Sequence, residues 1–98
     1  MKFLLLSRHT GGRNVPENER EQNGKDLMEW WSLLKASTAL PVSGGKSVTL
    51  ESTEEYKGEV EGMLVFEAES LDQAVEMAKK SPGLKYGWTH DVLQVMTM

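Results

Sequence analysis

Ninety-eight residues suit one domain, spanning 1–98, and a chain of this size buries roughly two-thirds of the surface it exposes when unfolded. The formal charge is −4, with acids and bases mixed along the chain, so the field that holds nucleic acid or an anionic membrane is missing, and neither is an expected partner. The sequence contains no cysteine, which excludes disulfides, thiolate metal sites and a cysteine nucleophile, and makes the cytoplasm the default compartment.

The opening MKFLLLSRHT carries an apolar run at residues 3–6, far shorter than the core of a secretion signal, and it ends in Arg8-His9. It reads as a buried first strand, from Lys2 to about His9. No other segment approaches the roughly 20 apolar residues of a membrane-spanning helix. Gly11, Gly12, Asn14 and Pro16 supply a turn, and Pro16 with Glu17, Glu19 and Glu21 suits a helix start. The firm part of that helix is KDLMEWWSLLKAS, where Leu27, Trp30, Trp31 and Leu34 follow the spacing of a buried stripe; Asn23-Gly24 is expected to kink the turns before it.

LPVSGGKS breaks the helix, and SVTLES gives a short second strand with Val48 and Leu50 on one side. In VEGMLVFEA, Val60, Leu64, Phe66 and Ala68 point one way while Met63 and Val65 point the other, so the third strand is apolar on both faces. Ser70 caps a second helix, with Gln73 in the capping-box position and Leu71, Ala74, Val75 and Ala78 as its core stripe. Lys79 and Lys80 complement the helix dipole and Pro82-Gly83 stops the helix; the last strand covers residues 85–96.

The order β-α-β-β-α-β is that of a ferredoxin-like α+β fold: a four-stranded antiparallel sheet with two helices on one face. One helical layer cannot cover Phe3, Leu5, Met63, Val65, Trp88, Val92, Leu93 and Val95 together, so the second sheet face also carries apolar surface. A face-to-face homodimer is the economical way to bury it.

The segment KGEVEGMLVFEAESLDQAVEMAKKSPGLKYG, residues 57–87, resembles the YCII-related family, known also for its DGPF motif. The resemblance rests on Gly62 entering the third strand, the helix start from Ser70 to Ala74, the helix end from Ala78 to Pro82, and Tyr86-Gly87. It implies a dimeric α/β barrel with a small-molecule cleft between sheet and partner, and in some relatives acid–base chemistry through a His-Asp pair. Where the family has Asp-Gly-Pro-Phe this chain reads LEST, and where its last strand reads Val-Glu-Val-Arg-Pro this one reads HDVLQ. Asp91 takes the place of the acid, His90 replaces an apolar residue, and Leu93 replaces an arginine.

An antiparallel strand order 4-1-3-2 gathers Arg8, His9, His90, Asp91, Glu59 and Glu61 at one end of the sheet. His9, His90 and Asp91 are the candidate catalytic residues: a histidine near neutral pKa with a carboxylate orienting it is what general acid–base catalysis needs. The alternative is a polar cluster of purely structural use in a non-catalytic dimerisation or accessory module. Because neighbours on a strand face opposite ways, His90 and Asp91 do not share a pocket, and a dyad requires His9 with Asp91 or His90 with a strand-three glutamate. If the Phe3, Leu5, Ser7, His9 side faces the partner, His9 lines the cleft and Ser7 is placed to bond a ligand. Arg8, Arg13 and Trp88 complete the ligand-binding candidates. SGGKS at residues 43–47 mimics the end of a P-loop, but the earlier glycine falls on Leu40 and a strand follows, which rejects nucleotide binding. No ligand spacing marks a metal or haem site, and no cofactor is expected.

Overall fold

The computed structural model describes residues 1–9 and 14–96. Strand β1 (Lys2–His9) is followed by a 3₁₀ turn (Glu17–Glu19) that runs into helix α1 (Arg20–Leu34). Strand β2 (Thr38–Pro41), a hairpin of β3 (Lys46–Val48) and β4 (Thr53–Glu55), and strand β5 (Val60–Glu67) come next. Helix α2 (Leu71–Ala78), a 3₁₀ turn (Leu84–Tyr86) and strand β6 (Trp88–Gln94) complete the described chain. The main sheet has the order β2-β5-β1-β6, with every neighbouring pair antiparallel. Among the described residues no helix is long and apolar enough to cross a membrane.

Period-two alternation sorts β1 and β5 cleanly. Phe3 and Leu5 face the same way as Leu64 and Phe66, and all four are buried against Trp30 and Leu34 of α1 and Ala74 and Ala78 of α2. Both helices therefore cover one sheet face, in the ferredoxin-like arrangement. The Phe3, Leu5, Ser7, His9 side lies beneath the helices, so the condition under which His9 would line a partner-facing cleft is not met. Leu4, Leu6, Met63 and Val65 occupy the opposite face together with Leu40 and Leu93, the last two about half exposed.

The helices carry the local signals expected of them. The Ser70 side chain accepts the Gln73 amide at 3.1 Å, and the Gln73 side chain in turn accepts the Glu69 amide, satisfying donors at the start of α2. In α1, Trp30 and Leu34 are buried and Leu27 packs against the core, whereas Trp31 is exposed, as is Leu71 at the start of α2. Helix α1 runs through Asn23-Gly24 without a break.

Strand two required the largest revision. The strand that pairs with β5 is Thr38–Pro41, which overlaps the helix-breaking LPVSGGKS stretch only at Leu40 and Pro41, while SVTLES divides between β3 and a turn closed by Thr49 and Ser52. A four-residue run ending in proline satisfies an edge strand, where one side of the backbone needs no partner. Val48 and Leu50, expected on one side of a single strand, fall in β3 and the turn after it and are 73% and 98% exposed. Gly44 and Gly45 enter the hairpin at φ +71° and +136°, a conformation that favours glycine, and SGGKS is thus a strand-entry turn. The last strand starts three residues late because residues 84–86 form a 3₁₀ turn and Gly87, at φ +89°, redirects the chain.

Candidate functional site

Strand β6 delivers two different environments from adjacent residues. In its antiparallel register with β1, Ser7 lies opposite His90, Leu6 opposite Asp91 and His9 opposite Trp88. Directly opposed residues share a face, so His90 joins Ser7 under the helices and Asp91 joins Leu6 on the open face.

The His90 ring is held at both nitrogens and on one side. Nδ1 lies 3.1 Å from the Ser7 hydroxyl, Nε2 lies 2.7 Å from the Ser81 hydroxyl, and the ring stacks on Trp30 with centroids 5.2 Å apart and planes 20° from parallel. Trp30 is itself anchored, its indole N–H donating to the Met77 carbonyl at 2.9 Å. Ser81 is buried in the connection after α2, and its oxygen accepts the Gly83 amide at 3.2 Å. Both ring nitrogens are satisfied when the Ser81 hydroxyl donates to Nε2 and Nδ1–H donates to Ser7, the arrangement that leaves the ring neutral with Nε2 as its acceptor. Burial pushes the His90 pKa below its ordinary value, and the negative charge of Asp91 acts against this with smaller effect.

On the other face Asp91 is engaged by a fork. Arg8 Nε donates to one carboxylate oxygen at 2.6 Å and Arg8 Nη2 to the other at 3.1 Å, while Nη1 reaches Glu59 at 3.1 Å. The hydrogen bond from Arg8 holds the Asp91 carboxyl below the usual carboxylate range. This cluster is about one-third to one-half exposed, so water screens it.

The sequence candidates thus separate. Ser7 and His90 come together, as do Arg8, Asp91 and Glu59. His9 and Asp91 lie on opposite faces, which removes that dyad; His9 packs its ring on Trp88, with centroids 5.0 Å apart. Trp88 also closes on Gly83, where an added Cβ would meet the indole at 3.2 Å. Arg13 lies outside the described residues. The Glu59 carboxylate meets Arg8, its backbone carbonyl accepts the His9 amide at 3.2 Å, and no group of three or more His, Asp or Glu among the described residues is arranged to hold a metal.

Ser81 and the stacking role of Trp30 were missed from sequence. Ser81 precedes Pro82-Gly83 and read only as part of a helix stop. The available signal was a serine in a connection that must turn back beside β6, nine positions before His90.

Two concavities adjoin the pair. A groove of about 430 Å³ between α2 and β6 is lined by Leu71, Val75, Val92 and Leu93 together with His90 and Asp91. A cleft of about 660 Å³ between α1 and the connection after α2 is lined by Trp30, Leu33, Ser81, Pro82 and Leu84, with Asp26 and Glu29 on the α1 wall and Lys80 and Lys85 on the other. The Ser81–His90 bond joins the linings of the two.

Among solved structures, the chain is similar to 5-chloro-2-hydroxyhydroquinone dehydrochlorinase (TftG) from Burkholderia phenoliruptrix AC1100, a structure in complex with 2,5-dihydroxybenzoquinone. The identity is 22% over 98% of this chain and 94% of that one, with a TM-score of 0.59, and the likeness is one of fold. No curated protein matches the chain. The model of the YCII-related domain matches residues 1–96, nearly the whole length, and the chain belongs to that family.

Proposed function

We propose that the chain is a homodimeric small-molecule-binding protein in which His90 exchanges a proton with the bound ligand. The ligand lies in the groove between α2 and β6, and the open sheet face packs on a second copy. The observation that carries this reading is the His90 ring on the wall of that groove, held by Ser7, Ser81 and Trp30. A neutral imidazole is the form that accepts a proton, and a pKa lowered by burial keeps it in that form at neutral pH. A ligand hydroxyl that takes the place of Ser81 at Nε2 passes its proton to the ring, while Ser7 keeps Nδ1–H in place. Asp91 acts on this ring only through space, because Arg8 occupies both of its oxygens.

The ligand class that fits best is a small oxygenated ring, since apolar side chains dominate the groove and a fold-related protein was solved with 2,5-dihydroxybenzoquinone. Titration with that quinone and its hydroquinone, followed by NMR of the His90 ring, tests the reading. Saturable shifts at His90 and binding at least tenfold weaker in His90→Ala are expected; binding unaffected by His90→Ala overturns the role given to the ring.

One observation favours a second reading, a non-catalytic module: both ring nitrogens already have partners inside the protein, as a structural cluster requires. Under that reading His90 variants lose stability in proportion to the broken hydrogen bonds, and no ring ligand perturbs His90.

A further inference from the structure

Residues 37–59 form a long arm whose residues are all exposed, although β2, β3 and β4 are ordered within it. An isolated two-stranded hairpin is marginally stable in water, and this one displays Val48 and Leu50 at 73% and 98% exposure. Its tip is also charged in one sense: residues 49–55 hold Glu51, Glu54 and Glu55 and no basic residue. The opposite pattern occurs in residues 79–88, which hold Lys79, Lys80 and Lys85 and no acidic residue. Glu55 pairs with Lys46, and Lys79 with Glu76, which leaves Glu51 and Glu54 on one side and Lys80 and Lys85 on the other without an ion pair among the described residues. Lys85 lies over the Tyr86 ring, 5.2 Å from its centroid. The arm leaves the sheet at the β2 edge, whereas residues 79–88 lead into β6 at the other edge.

We propose that the hairpin tip of one copy seats in the cleft between α1 and the connection after α2 of a second copy. Leu50 enters among Trp30, Leu33, Pro82 and Leu84, and Glu51 and Glu54 lie along the wall that carries Lys80 and Lys85, away from Asp26 and Glu29. The contact is reciprocal, so it closes a two-fold dimer. Its consequence for the site is direct: the partner's arm covers the outer side of Ser81 and shields the Ser81–His90 bond from water. The inference rests on the homodimer proposed above and adds a second contact to the packing of the open sheet face.

The lack of cysteine makes the test clean. The variant Leu50→Cys combined with Leu33→Cys, two exposed positions, is expected to form a covalent dimer on mild oxidation, and neither single variant is. Lys80→Glu with Lys85→Glu should weaken self-association at least tenfold in a light-scattering dilution series, and adding Glu51→Lys with Glu54→Lys should restore it. Circular dichroism establishes that each variant is folded. A dimer whose affinity ignores the charge reversal, with no cross-link in the double variant, overturns the arm contact and leaves the face-to-face dimer standing. A small molecule filling the cleft with the arm still solvent-exposed overturns it equally. A monomer throughout the dilution series removes the dimer itself, and with it both contacts.

Discussion

His90 and Asp91 are neighbours in the chain and belong to different chemistries. The side under the helices holds a hydrogen-bonded chain, Ser81 to His90 to Ser7, walled by Trp30. The open side holds an ionic fork from Arg8 to Asp91 with Glu59 beside it. The strand alone makes the division: alternation sends one residue into low dielectric, where a charge is costly, and the next to the surface, where a paired charge is cheap. Adjacency in sequence is therefore a poor guide to a catalytic pair when both members lie on a strand. The partner that matters for His90 comes instead from a connection, Ser81.

The comparison can be broken most forcefully on the buried side. Trp30→Ala removes the ring that stacks on His90 and fills the core, and urea denaturation should show a loss of about 3–5 kcal/mol. Next comes Ser81→Ala, which leaves His90 Nε2 and the Gly83 amide without their partner; a loss of about 1–3 kcal/mol is expected, together with a changed His90 tautomer in NMR. A loss near zero would mean that the bond between Ser81 and His90 contributes nothing.

Acid should separate the two sides by the pH at which each responds. The folded pKa of His90 is lowered, so between the ordinary histidine value and the folded one the unfolded state binds more protons than the native state. Stability should therefore fall as pH drops below about 6.5, and His90→Asn should flatten that limb. Asp91 is also lowered, by Arg8, so its contribution is present above the ordinary carboxylate range and is lost only at more acid pH, as the carboxylate protonates. The smallest effect is expected for Asp91→Asn at neutral pH, since the fork is partly exposed; whatever stability it removes should shrink further in high salt. An effect larger than that of Ser81→Ala would reverse the ranking of the two sides.

Much of this was legible in sequence because it follows from local rules. The Ser70 cap, the two-faced β5, the sheet order and the separation of His90 from Asp91 each depend on periodicity or on residues a few positions apart. The second strand was not legible, because four residues ending in Pro41 make a weaker local pattern than SVTLES, and pairing with β5 decided between them. The face occupied by Ser7 was undetermined for a related reason: β1 is apolar on both sides until the helices choose one. Ser81 was hidden because its role arises only when the connection after α2 folds back beside β6.

The central claim is that His90 is a neutral, Nδ1-protonated ring at neutral pH, fixed between two serines. An NMR titration of the imidazole nitrogens measures it most directly. The account predicts the Nδ1–H tautomer at pH 7 and a pKa below 6.5, with Ser81→Ala disturbing the tautomer. A pKa at or above 6.5, or an Nε2–H ring indifferent to Ser81→Ala, would contradict it.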